Sequence, residues 1–222
     1  MKKVVIIALV LLAQFTHAQV SRNLGDFDQV KVFDKISVQL IAANENKLEI
    51  TGSRAAEVET VNKNGDLKIR MPFPKLLSGN DIVVKLYYKN LESIAVSEGS
   101  SITSANDFKQ TSLELNAKSG GELSLNVDVE KVSVKVNSGG IISLSGKSTN
   151  QNVAITSGGI LNAKDLNTSQ TTITVSAGGQ AEINASTLVE AKVKAGGSIF
   201  IYGKPKQINQ EIFIGGIILE KN

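Results

Sequence analysis

Apolar and polar residues alternate with period two through most of this chain, and in its second half the alternation is punctuated at a nearly fixed interval. Glycine doublets stand at Gly120-Gly121, Gly139-Gly140, Gly158-Gly159, Gly178-Gly179, Gly196-Gly197 and Gly215-Gly216, preceded by the imperfect Gly99-Ser100. Their first glycines lie 21, 19, 19, 20, 18 and 19 residues apart. A period near nineteen, flanked on both sides by strand-like alternation, predicts a solenoid of stacked β-coils.

The columns of the repeat support this. Counting back from the first glycine, the third residue is Val96, Ala117, Val136, Ile155, Val175, Val193 or Ile212, and the fifth is Ile94, Leu115, Val134, Val153, Ile173, Ala191 or Gln210. The second residue after each doublet is Ile102, Leu123, Ile142, Leu161, Ala181, Ile199 or Ile218. Each coil therefore reads as two short strands, inward on alternate residues, with the doublet at the bend between them. Glycine suits that bend because it accepts positive φ and lets another backbone approach where a Cβ would clash.

Upstream, Phe27 to Ile41, Lys47 to Thr51, Val58 to Arg70 and Asp81 to Tyr88 also alternate, with turn chemistry at Asn44 to Asn46 and Asn64-Gly65-Asp66, but no doublets. Pro72 and Pro74 around Phe73 break the pattern and predict a protruding loop through Asn80. Residues 19–96 thus form earlier, less ideal coils that cap one end, and residues 97–222 the regular repeats. Only Glu220-Lys221-Asn222 follow the last apolar residues, so the other end reads as lightly covered.

Residues 1–18 read as a cleaved signal peptide. Lys2 and Lys3 precede an apolar run from Val4 to Ala13 and the small-residue site Thr16-His17-Ala18. Ten apolar residues fall short of the roughly 20 that span a bilayer, and no second run could do so. The expected location is the periplasm, the outer surface or the extracellular medium. Loss of Lys2 and Lys3 leaves 22 of the 24 basic residues against 21 acidic ones. Without a basic stripe, nucleic acid is not an expected partner.

Gly25-Asp26-Phe27-Asp28-Gln29-Val30, Asn64-Gly65-Asp66-Leu67-Lys68-Ile69, Leu91-Glu92-Ser93-Ile94, the Ser-Gly-Gly triplets at Ser119, Ser138 and Ser157, and the late Tyr202-Gly203-Lys204-Pro205 segment together resemble the head GIN domain of auto-transporter adhesins. The resemblance covers nearly all of the mature chain. It implies a right-handed, single-stranded β-helix in an exported Gram-negative protein, with no family catalytic or ligand residues to carry over. Two departures stand out. Phe33-Asp34 occupies a place where many members have glycine, and Asn90 a place where proline is common.

The chain holds no cysteine, and its one histidine, His17, lies in the leader. Disulfides, thiol or serine-triad catalysis and zinc sites of His or Cys are excluded from the mature protein. Carboxylate chemistry remains, with Glu114, Glu122, Asp128, Glu130, Asp165, Glu182 and Glu190 as candidates. Glu114 and Glu190 share a column four coils apart, roughly 19 Å at the spacing of stacked strands, too far for the ~5–9.5 Å of a glycosidase pair. Asp128 and Glu130 are neighbours on one strand. The residues following the doublets cannot form a calcium β-roll, and no doublet opens a helix as a phosphate loop requires. No cofactor is expected.

Two outward columns are mostly polar: Thr103, Ser124, Ser143, Asn162, Glu182, Phe200 and Leu219 after the doublets, and Ser93, Glu114, Ser133, Asn152, Thr172, Glu190 and Asn209 before them. Phe200, Tyr202 and Ile217 to Leu219 read as an outward apolar cluster. These features favour a non-enzymatic surface or envelope binding module, its partner a glycan or cell-surface protein. The alternatives are a polysaccharide hydrolase or lyase on the same scaffold and an assembly protein that associates end to end.

Overall fold

A computed structural model describes residues 19–221; the expected signal peptide lies outside the described residues. The described residues form seventeen strands and one 3-10 turn, Ala55–Glu57. The first nine strands are β1 (Val20–Asn23), β2 (Gln29–Val32), β3 (Ser37–Ala42), β4 (Lys47–Thr51), β5 (Glu59–Lys63), β6 (Asp66–Arg70), β7 (Val83–Tyr88), β8 (Ser93–Val96) and β9 (Ser101–Ser104). They lead into β10 (Phe108–Ala117), β11 (Glu122–Val136), β12 (Ile141–Ile155), β13 (Ile160–Val175) and β14 (Gln180–Ala195). The last three are β15 (Ser198–Tyr202), β16 (Gln207–Ile214) and β17 (Ile217–Glu220). All join in one continuous sheet that winds into a β-solenoid of about seven turns.

From β8 onward each coil pairs in parallel with the next, in the register that the glycine doublets set. Leu115, Val134, Val153, Ile173 and Ala191 form one ladder, and Leu123, Ile142, Leu161, Ala181 and Ile199 another. Every one of these side chains is buried. A ladder of this kind stabilises each rung by about 1.5–3 kcal/mol per enclosed large aliphatic.

The two short strands expected per coil are instead one strand of 15 or 16 residues in β11 to β14. The second corner of the coil lies inside that strand. It is marked by two successive solvent-facing residues, Glu130-Lys131 in β11 and Thr149-Asn150 in β12, where the inward face changes phase. Coil-to-coil hydrogen bonding resumes directly after this gentle corner, so the strand is not interrupted.

The doublet corners are sharp and line up along one edge. In Asn137-Ser138-Gly139-Gly140, Ser138 has φ 49° and Gly139 φ 70°, and the Gly140 N–H donates to the Asn137 carbonyl at 2.9 Å. That is the pattern of a type I′ turn. Gly139 donates in turn to the Ser157 carbonyl of the next corner at 3.2 Å, as Gly120 does to Ser138 and Gly158 to Ala177. The two glycines of a doublet have separate tasks. A Cβ on Gly139 would meet nothing within 4 Å, so only its dihedral demands glycine. A Cβ on Gly140 would lie 2.5 Å from the Ala117 carbonyl oxygen of the preceding coil, so there the demand is space.

The N-terminal end departs from simple sequential stacking. The coil β2–β3 lies between β6–β7 on one side and β8–β9 on the other, paired in parallel with both. Beyond it, β4 runs antiparallel to β7, β1 antiparallel to β4, and β5 folds back on β6 through Asn64-Gly65. The N-terminal end therefore holds two parallel coils, β2–β3 and β6–β7, stacked out of chain order and closed by the antiparallel strands β1, β4 and β5. Its corner between β2 and β3 contains no glycine. Asp34 and Lys35 both take φ 65°, and the Asp34 carboxylate, 1% exposed, accepts from the backbone N–H of Met71 at 2.9 Å and of Leu77 at 3.0 Å. Aspartate is among the few residues that tolerate this conformation, and here its side chain also anchors the loop that carries Phe73, which protrudes at 85% exposure.

Candidate binding groove

The candidate carboxylates are dispersed. Glu114 lies in register with Ser133, Asn152, Thr172 and Glu190 in turn, which fixes the two glutamates four coils apart. Glu190 accepts from the Thr172 hydroxyl at 3.1 Å and Glu182 from the Tyr202 phenol at 3.4 Å. Asp128 is paired with Lys147 at 3.3 Å. Glu122 is exposed at the start of β11, and Asp165 lies opposite Ser145 across a register shift. Among the described residues there is no cluster of three or more Asp, Glu, His or Cys placed to hold a metal ion. The structure does bring Asp128 and Glu130 to one place, the wall of a groove at the second corner.

This groove, of about 450 Å³, runs along the coil axis from Gln110 to Ser186. Its floor follows one register row, Gln110, Val129, Ser148, Thr168 and Ala185. Beside it runs a second row, Asp128, Lys147, Asn167 and Asn184. Within β11 to β14 the other buried side chains are aliphatic, but here they are polar: Ser148, Gln151, Thr168 and Thr171 are all buried. The Thr168 hydroxyl donates to the Asn184 carbonyl at 2.7 Å and lies 2.9 Å from the Thr171 hydroxyl, which donates to Gln151 Oε1 at 3.2 Å. Gln151 Nε2 has no partner among the described residues.

The coil lengths explain the groove. The 20-residue spacing from Gly158 to Gly178 is followed by the 18-residue spacing to Gly196. The mismatch is absorbed where β13 meets β14, by register shifts between Ala163 and Asn167 and between Thr168 and Gln170. At the first shift Lys164 and Asp165 face outward and Leu166 inward, with no partners on β14. Two hollows of similar volume lie on the flat arms: one near Thr172, Glu190 and Asn209, the other on the face of Thr103, Ser124, Ser143 and Asn162. The outward columns read from the sequence are thus real rows, but both lie over aliphatic ladders.

The glycines read as structural corners, Gly120, Gly121, Gly139, Gly140, Gly158, Gly159, Gly178, Gly179, Gly196, Gly197, Gly215 and Gly216, all lie in the turns between consecutive strands from β10 to β17. The apolar surface near the C-terminal end is wider than expected and differently composed. Ile212, Phe213, Ile214, Ile217 and Leu219 are exposed, whereas Phe200 and Tyr202 are half-buried. No helix among the described residues is long and apolar enough to cross a membrane.

A solenoid of glycine-cornered coils with dispersed carboxylates defines a class of repetitive β-scaffold. The model of the family described as "Putative auto-transporter adhesin, head GIN domain" matches residues 26–205, and the chain belongs to that family. Among solved structures, the fold is similar to that of a putative adhesin from Bacteroides fragilis, with TM-score 0.85 at 16% identity over 94% of this chain and 98% of that one. A putative lipid binding protein and a putative adhesin, both from Parabacteroides distasonis, give TM-scores of 0.73 at 17% identity and 0.71 at 19%, each over the same shares of the two chains. No curated protein matches the sequence significantly.

Proposed function

We propose that this protein is an exported, non-enzymatic binding module of the cell surface or envelope, adhesion-like in role. The observation that carries this reading is the placement of its acids. In a scaffold whose mature chain lacks His and Cys, the carboxylates are spread over separate coils or paired with Lys147, Thr172 and Tyr202, while the polar groups converge on an open groove suited to holding an extended partner. Family membership supports the same role. The expected signal peptide supplies the route of export. The test is cell fractionation followed by protease treatment of intact cells, with retention of the purified protein on a surface of host or bacterial cells measured alongside. Confinement to the cytoplasm, or no retention on any cell surface, would overturn the proposal.

A second reading, end-to-end association, is favoured by the exposed Ile212, Phe213 and Ile214 of β16. Sedimentation across a concentration series tests it. A monomer throughout would remove it.

A further inference from the structure

We infer that the second-corner groove is a binding site for a linear, uncharged polysaccharide lying along the coil axis. The inference rests on the binding-module reading above and assigns its ligand class and site.

The groove departs from the rest of the solenoid in three respects that meet at one place, two of them linked, since the register shifts absorb the coil-length mismatch. Its floor replaces buried aliphatics with hydroxyls, its edges coincide with two register shifts, and the longest coil of the β11–β14 region stands beside the shortest. Burying four polar side chains costs stability that aliphatic ladders on either side would not. Val129 and Val132 precede the polar layer and Val189 follows it, so the scaffold accommodates valine at these rows.

The lining selects the ligand by exclusion. An added peptide strand is not accommodated, because the backbone groups of β11 to β14 at this corner are already shared between adjacent coils. Phosphodiester chains meet Asp128 and Glu130, and the nearby cation, Lys147, is committed to Asp128. Acyl chains meet one aliphatic side chain, Val129. What the groove offers outward are the hydroxyls of Thr149 and Ser169 and the Asn167 side-chain amide, over a floor where Ser148 donates to the Asn150 carbonyl, Thr168 to the Asn184 carbonyl, and Asn184 Nδ2 to the Lys164 carbonyl and Asn167 Oδ1, in rows spaced by the coil repeat of about 4.8 Å. A linear polymer of hydroxyl-bearing rings presents complementary donors and acceptors at a comparable repeat. The lining contains no aromatic side chain, so each ring is held by hydrogen bonds alone, and useful strength comes from several rings engaged at once.

The experiment titrates the ¹⁵N-labelled mature chain with neutral tetrasaccharides of β-glucan, mannan and galactan, and with tetragalacturonate as the acidic counterpart. At least one neutral probe is expected to shift the Asn167 and Asn184 side-chain amides and to leave resonances on the arm around Ala154 unmoved. The variant Thr149→Arg/Ser169→Arg, which fills the groove from solvent-accessible positions, is expected to lose affinity by at least about tenfold with an unchanged melting temperature. The control Ala154→Arg, on an exposed arm position, keeps wild-type affinity. No groove shift with any neutral probe, or a preference for tetragalacturonate, overturns the assignment. If the filled-groove variant still adheres to cells as the wild type does, the site assignment fails and the binding-module reading survives. If the wild type itself adheres to nothing, the binding-module reading fails.

Discussion

Consider replacing, one at a time, the two glycines of a single corner. Gly139→Ala asks an L-residue to hold φ 70° in open space, with no atom within 4 Å of the new Cβ. The cost is the left-handed penalty of about 1–2 kcal/mol, and Gly139→Asn, which tolerates that region, should recover most of it. Gly140→Ala has a different difficulty. Its Cβ would sit 2.5 Å from the Ala117 carbonyl oxygen and 2.6 Å from the carbonyl carbon, both backbone atoms of the coil beneath. No rotamer change relieves a backbone contact, so two coils must separate locally. That strains the hydrogen bonds from Asn137 N–H to the Ala117 carbonyl and from Lys118 N–H to the Val96 carbonyl, each 3.0 Å. Overpacking that no side chain can relieve falls at the upper end of the usual range, about 3 kcal/mol. With about 2–4 °C of melting temperature per kcal/mol in a chain of this size, Gly140→Ala should lower the midpoint by roughly 6–12 °C and Gly139→Asn by about 2 °C or less. Thermal denaturation followed by circular dichroism measures both. Equal midpoints for Gly140→Ala and Gly139→Asn would refute the division of labour within the doublet.

Three further outcomes follow from other parts of the structure. Burial, and next to it the charge and hydrogen bond of Asp34, raise the pKa of Glu98 above its ordinary value. The folded protein therefore holds that proton more tightly than the unfolded chain, and this contribution to stability is present below the ordinary carboxylate range and lost as pH rises through the raised folded-state value. Glu98→Gln should accordingly be more stable than wild type at neutral pH, the difference closing as pH falls; urea midpoints measured from pH 4 to 8 check the sign. Gln151→Leu removes a buried amide whose nitrogen has no partner, and the Thr171 hydroxyl that loses its Gln151 Oε1 acceptor can donate to Thr168 at 2.9 Å, so its stability should stay within about 1 kcal/mol of wild type; Ile155→Ala, in an intact ladder, should lose about 2–5 kcal/mol by the same denaturation assay. Asp34→Ala removes the acceptor of two backbone donors and should cost about 3 kcal/mol, with limited proteolysis showing faster cleavage between residues 72 and 80.

The solenoid and the register of its interior rows were readable from the sequence because the inward face repeats at fixed offsets from an obvious marker. Leu115, Val134, Val153 and Ile173 occupy the ladder that their column predicts. The insertion of β2–β3 between β6–β7 and β8–β9 was not readable, since pairing between distant strands leaves no local periodic trace when every strand alternates in the same way. The corner at Asp34-Lys35 was visible only as a missing glycine, and its solution depends on backbone donors of Met71 and Leu77, more than thirty residues away. The groove had a signal that column counting passed over. Gln151 and Thr171 stand seven residues before their doublets, in the column that holds Leu113, Val132 and Val189 in other coils, and the 20- and 18-residue spacings adjoin them. An interruption of an apolar column next to an irregular spacing marks such a place.

The wedged position of β2–β3 also dictates an order of events when the chain folds. Its two neighbours are built from segments that begin 37 and 64 residues further along, Gln29 pairing with both Asp66 and Ser93. The earliest-synthesised rung must therefore wait for later ones before either of its edges is satisfied, and closing those loops sets an entropic threshold that the downstream rungs never face. Once that threshold is crossed, growth toward the C-terminus proceeds by templating, each new rung about nineteen residues behind the last.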